Sequence, residues 1–292
     1  MLLLPSLSRS GEMGRGRGWG NVGGNLRPVS QRLSETFDTL SQKGEKALVV
    51  FVTAGDPELP ELPAILTTLQ EAGADVIEIG LPFSDPIADG PVIQASSFRA
   101  LQGGATRTKI LAALAATRVE VPVVLMGYYN TFLRPGLLAF AEEAKEAGVS
   151  GAIICDSIPE EADDWVNVGR DAGLDTIFLA APTSTTERLD AVAEQSTGFV
   201  YAVARTGVTG ATSGSSEETI DLIQHLKNRT ETPVCVGFGV SEPAQVKALC
   251  EFADGVVVGS SLVKLIAEKW NQGHGRDEVY DYVNSLKEAT RV

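Results

Sequence analysis

Eight short runs recur along the chain, each apolar on nearly every residue and rich in β-branched side chains. They are Ala47–Thr53, Asp75–Ile79, Pro122–Met126, Gly151–Cys155, Asp175–Ala180, Gly198–Ala202, Pro233–Val236 and Gly255–Val258. A strand that alternates apolar and polar residues has one wet face. An unbroken apolar run needs cover on both faces, the condition of a parallel sheet wrapped by helices. Helical stretches such as Ile110–Thr117, Leu137–Ala147, Thr186–Gln195 and Glu217–Asn228 separate the runs. Glu71-Ala72-Gly73, Glu146-Ala147-Gly148 and Asp171-Ala172-Gly173 each put glycine where a helix stops before a strand, the left-handed position that glycine favours. Eight strand-then-helix units in about 250 residues predict a single-domain α/β fold, a (β/α)8 TIM barrel. An open doubly wound sheet would carry G-x-G-x-x-G after its first strand. Phe51-Val52-Thr53-Ala54-Gly55-Asp56-Pro57 stands there instead.

Charge divides the 292 residues unequally. Lys and Arg total 24 against 38 Asp and Glu, a net −14. Residues 1–30 hold Arg9, Arg15, Arg17 and Arg27 against Glu12 alone, so they carry +3 and the remainder −17, from 20 basic and 37 acidic residues. Seven of those 30 are glycine, without apolar periodicity, and we read 1–30 as a disordered leader, a plastid-type transit segment or an over-long start. Residues 31–292 are then the barrel. The expected location is cytoplasmic, or plastid if the leader is a transit segment. So acidic a chain is unsuited to nonspecific nucleic-acid binding. No run approaches the roughly 20 apolar residues of a membrane span. Cys155, Cys235 and Cys250 lack the short spacings of a disulfide framework or a zinc ribbon, and His225 and His274 are too few for a histidine-rich metal site.

In barrels of this kind the active site lies at the C-terminal ends of the strands. The second run reads Asp75-Val76-Ile77-Glu78-Ile79-Gly80, with a carboxylate between two isoleucines. Facing out, Glu78 would need a helix cation to pair with. Facing in, it would be desolvated, its pKa raised, and fit for general acid/base work. The loop that follows, Leu81 to Pro91, holds Asp85, Asp89 and three prolines. Its acids either cap local turns or, in the case of Asp89, supply a second carboxylate to steady an N–H group or a cation. Three late loops, Arg205-Thr206-Gly207-Val208-Thr209-Gly210, Gly237-Phe238-Gly239 and Gly259-Ser260-Ser261, read as a phosphate cradle of backbone amides and a helix N-terminus, or singly as tight turns. A Schiff-base aldolase needs a lysine at a strand end, but Lys109, Lys145, Lys227, Lys247, Lys264 and Lys287 all fall in helical segments. A metal-dependent aldolase needs ligands that two scattered histidines do not supply. Carbon–carbon cleavage here would run on acid/base chemistry alone.

The segments Phe51–Pro57, Glu78–Pro91, Arg205–Gly210, Val236–Ser241 and Val258–Ser260, in order over roughly residues 33–290, resemble the tryptophan synthase α-subunit family. The resemblance implies a TIM barrel that cleaves indole-3-glycerol phosphate to indole and glyceraldehyde 3-phosphate. Glu78 matches the general acid/base and Asp89 the carboxylate that receives the indole N–H. Phe51, Leu125, Tyr201 and Phe238 match the walls around indole, and Thr209 the lid residue that meets the catalytic aspartate. Gly210, Gly239, Gly259 and Ser260 match the phosphate site. Asp85 and Asn130 match the side that docks a β subunit in an α2β2 heterotetramer. No cofactor or metal is implied in this chain, pyridoxal phosphate belonging to the β subunit. Asp156-Ser157-Ile158-Pro159 departs from the family's usual aspartate-leucine-proline-proline, and residues 1–30 have no counterpart. Three alternatives stand beside this reading: a stand-alone lyase that releases free indole, a non-catalytic activating barrel, and a phosphosugar isomerase.

Overall fold

A computed structural model describes residues 30–203, 214–237 and 239–291. Residues 1–29, the Arg205–Gly210 loop and Phe238 lie outside the described residues. The strands are β1 (Ala47–Thr53), β2 (Val76–Gly80), β3 (Val123–Gly127), β4 (Gly151–Ile154), β5 (Asp175–Ile177), β6 (Leu179–Ala180), β7 (Val200–Val203), β8 (Val234–Gly237) and β9 (Gly255–Val258). All pair in parallel, in the order β5-β4-β3-β2-β1-β9-β8-β7-β6. The helices of the front half are α1 (Ser30–Lys43), α2 (Leu62–Glu71), α3 (Pro91–Gln102), α4 (Arg107–Ala116), α5 (Tyr129–Leu133) and α6 (Leu137–Glu146). The rear half adds α7 (Asp163–Ala172), α8 (Thr186–Gln195), α9 (Gly214–Lys227), α10 (Pro243–Cys250), α11 (Ser260–Lys269) and α12 (Arg276–Glu288).

The expected eight-strand barrel is present, with one local difference. The fifth run, expected whole over Asp175–Ala180, breaks at Phe178 into β5, which pairs with β4, and β6, which pairs with β7. At this seam hydroxyl side chains replace part of the ladder. The Thr176 N–H donates to Thr197 Oγ1 (3.0 Å) and the Phe178 N–H to Ser196 Oγ (3.3 Å). Backbone bonds from Thr197 N–H to the Thr176 carbonyl and from Tyr201 N–H to the Phe178 carbonyl complete it.

The core has two layers, as a barrel requires. Between sheet and helices lie Leu48, Val50, Ile77, Ile79, Val236 and their neighbours; inside the barrel lie Val49, Val76, Val124, Ile153, Ile177, Tyr201, Cys235 and Val257. Helix α1 closes the floor by sending Leu33, Phe37 and Leu40 into the inner layer. Near the floor, Lys287 of α12 is buried and pairs with Asp75 (3.0 Å) and Glu45 (3.1 Å), tying the last helix to the first two strands. The three helix-ending glycines take the expected left-handed backbone: Gly73, Gly148 and Gly173 have φ of 99°, 80° and 72°.

Candidate active site

Alternation along β2 decides where Glu78 points. Val76 belongs to the inner layer, Ile77 and Ile79 to the outer, so Glu78 faces into the barrel beside Phe51 of β1 and Val124 of β3. The outward reading, with a helix cation as partner, is thereby ruled out. Glu78 is 1% exposed, and neither carboxylate oxygen has a hydrogen-bond partner among the described residues. Burial, reinforced by the charge of Asp89, pushes its pKa up to about 8. At neutral pH it is mostly the neutral acid, held where water does not reach it.

Asp89 sits in the loop from β2 to α3, half-buried, and its charge is felt at Glu78. Burial raises its pKa, while a hydrogen bond from the Tyr128 hydroxyl acts in the opposite direction. Cys155, directly after β4, completes the group. Its thiol is pushed well up by burial and by the charges of Asp89 and Glu78, so it stays protonated.

Tyr201 belongs to the inner layer, and Phe51, also buried, lies in register with the inward Glu78. The Phe51 ring lies on Gly80, where a Cβ would run into the ring edge, and its own Cβ faces Gly259. The Tyr201 hydroxyl crosses to Gly237, whose hypothetical Cβ would stand 2.7 Å away. Leu125 is a correction. It packs in the outer layer against helices, and the inward residue is its neighbour Met126, which joins the inner cluster. Thr209, Gly210 and Phe238 lie outside the described residues.

Gly239, with φ of 83°, follows β8, while Gly259 caps α11 and Ser260 opens it, with no acidic residue in that helix's first turn. All three stand past strand C-termini, on the same end of the barrel as Glu78. Free amides at the start of a ten-residue helix favour an anion. Asp85 is exposed and accepts from Ser84 Oγ (2.5 Å); Asn130 is exposed on α5. A cleft of about 570 Å³, lined by Phe83, Ser84, Leu101, Asn130 and Arg134, lies beside them and away from Glu78. The six lysines named above are indeed helical. No His, Cys, Asp and Glu group able to hold a metal ion occurs among the described residues, and no helix there is long and apolar enough to cross a membrane.

Two residues escaped the sequence reasoning. Met126 stands two residues after the inward Val124, an orientation that the uniformly apolar run does not mark. Tyr128 is buried just past β3, bonded to Asp89 and to the Ala88 N–H (2.9 Å), partners some forty residues away that no local pattern reveals.

Comparison with known proteins agrees with this geometry. A family model described as tryptophan synthase alpha chain matches residues 37–291. The tryptophan synthase alpha chain of Geobacter sulfurreducens is 47% identical over 260 residues, covering 88% of this chain and 98% of the relative. That of Pelobacter propionicus is 46% identical over 261 residues, covering 88% and 97%. Among solved structures, a chain of Mycobacterium tuberculosis tryptophan synthase superposes with a TM-score of 0.82 at 39% identity, covering 89% of this chain and 98% of that one. The Legionella pneumophila alpha subunit gives 0.81 at 33% identity, covering 89% and 98%. By family model, by sequence and by fold, the chain belongs to the tryptophan synthase alpha chain family.

Proposed function

We propose that this barrel cleaves indole-3-glycerol phosphate to indole and glyceraldehyde 3-phosphate, with Glu78 as general acid/base and Asp89 as the ring's electrostatic partner. The observation that carries the reading is the unpartnered, buried and neutral Glu78 carboxyl beside a second carboxylate. Glu78 donates its proton to C3 of the indole ring, and the positive charge that develops spreads to the ring N–H. Asp89, ionised, accepts that N–H and stabilises the cation. The Glu78 carboxylate then takes the proton of the glycerol hydroxyl next to the ring. The C=O of the aldehyde forms, the carbon–carbon bond breaks, and its electron pair returns to the ring, releasing neutral indole. One side chain moves both protons, which requires a pKa near the working pH.

Phe51, Tyr201 and Met126 supply apolar walls for the ring, with Phe238 as a further candidate. Gly239, Gly259, Ser260 and the α11 terminus receive the phosphate, Gly210 being the remaining candidate. The family's alpha chain works without a cofactor of its own, pyridoxal phosphate belonging to the β subunit.

A β-subunit partner, in an α2β2 assembly, is supported by the mouth of the barrel. Ile87 (86% exposed), Phe98 (61%), Leu133 and Leu138 present apolar surface on the loop and helices that follow β2 and β3, the side of Asp85 and Asn130. The bacterial relatives lend no support to a plastid leader, and cytoplasmic location with residues 31–292 as the catalytic barrel is the simpler reading.

The test is cleavage of indole-3-glycerol phosphate by the chain with and without β subunit. Weak activity strongly raised by the partner supports the reading. An unchanged full rate points to a stand-alone lyase, and no cleavage under either condition overturns the assignment. A second expectation follows from the Phe51–Gly80 contact. Gly80→Ala forces the buried ring off its seat, an overpacking cost of roughly 1–3 kcal/mol. KM for the substrate should rise at least several-fold; an unchanged KM would remove Phe51 from the pocket wall.

A further inference from the structure

Tyr128 touches the loop bearing Asp89 at three separate points. Its ring stacks on Phe83 at the loop's start, with centroids 5.0 Å apart and planes at 18°. Its hydroxyl oxygen accepts the Ala88 N–H at 2.9 Å. The same hydroxyl acts on the Asp89 side chain, lowering its pKa. A phenol has one proton and its oxygen accepts, so with Ala88 already donating, that proton is directed at the carboxylate. The ring is in turn fixed from below. Tyr128 is buried at the N-terminal boundary of α5, its carbonyl receives the Thr131 N–H (2.8 Å), and the adjoining Tyr129 N–H donates to Asp156 Oδ1 (2.7 Å). A rigid element thus ends in one hydroxyl that holds a carboxylate otherwise carried on a surface loop.

We propose that Tyr128 is a positioning residue for the cleavage reaction, its hydroxyl orienting the Asp89 carboxylate toward the ring N–H while pinning the Asp89 loop to the third strand. This rests on the role given to Asp89 above. An acceptor already desolvated and aimed has less reorganisation to undergo when charge appears on the ring. The bond also favours the ionised carboxylate, which is the form that binds a cation. The Asp89 charge is felt at Glu78, Tyr128, Cys155 and Tyr201, none of them cationic. Tyr128 is the group that opposes the rise that burial imposes on the Asp89 pKa.

The experiment is Tyr128→Phe in the full chain, assayed with indole-3-glycerol phosphate across pH, alone and saturated with β subunit, and again in an Asp89→Asn background. Phenylalanine keeps the ring and its stack on Phe83 and removes only the hydroxyl. The expected result is a loss of roughly tenfold in kcat/KM, the scale of a hydrogen bond to a charged group. The acid limb should move to higher pH, and no further loss should appear once Asp89 is asparagine. A pH profile that superimposes on the parent's overturns the proposal, as does an equal tenfold loss in the Asp89→Asn background, which would mark a loop staple only. Failure of the underlying reading shows separately: the unmodified chain, or Asp89→Asn, would then lack the expected activity or the expected defect.

Discussion

Glu78→Gln is expected to lower kcat by about 10²- to 10⁴-fold, the usual share of a general acid/base, with the fold intact. Glutamine matches the shape of the buried carboxyl but has no proton to give at C3 and no carboxylate to receive the hydroxyl proton. The same substitution should make the protein more stable at neutral pH. Glu78 titrates at about 8 in the fold and near 4.5 when unfolded, because burial disfavours its charge. Its favourable contribution is complete below pH 4.5 and is lost progressively as pH rises to 8. The parent should therefore lose stability across that window relative to the glutamine variant, by a few kcal/mol at its upper end. Thermal unfolding of both proteins from pH 4 to pH 8 checks this. Parallel curves would mean that Glu78 is solvated, and a near-parental kcat would remove it from the mechanism.

Asp89→Asn comes next, with an expected loss of about 10²- to 10³-fold in kcat, the scale of one oriented electrostatic group. Asparagine can still accept a hydrogen bond from the ring nitrogen but adds no negative charge where positive charge develops. A second consequence is diagnostic. The Asp89 charge helps to raise the Glu78 pKa, so removing it should lower that pKa and shift the falling limb of kcat/KM to lower pH. Residual activity with an unmoved basic limb would show that the two carboxylates do not sense each other. Tyr128→Phe acts on the opposite limb, so the two variants separate the contributions.

The barrel was legible because strands covered on both faces leave apolar runs that little else produces. That same property hid which residues face inward. In Val123-Val124-Leu125-Met126 every position is apolar, so the pattern does not contradict the resemblance that implies Leu125, although Met126 is the residue that joins the inner layer. Glu78 was legible for the converse reason: a carboxylate in such a run is an energetic anomaly that demands a function or a partner. Asp89 and the glycines after β8 and β9 were marked by loop position, and their roles by family resemblance. Tyr128 was not visible, because what it does depends on a loop forty residues earlier in the chain. The break at Phe178 was hidden because Asp175–Ala180 reads as one strand until its two neighbours are known.

That break has a genetic side. Where β1 meets β9 the barrel is closed by backbone hydrogen bonds, which no single substitution deletes except proline. At the opposite closure, two of the bonds belong to the hydroxyls of Ser196 and Thr197. Each is one nucleotide change from loss, and neither is near the chemistry. The enzyme's tolerance to mutation is thus uneven around its circumference, with heritable fragility gathered at two small polar residues far from Glu78 in sequence.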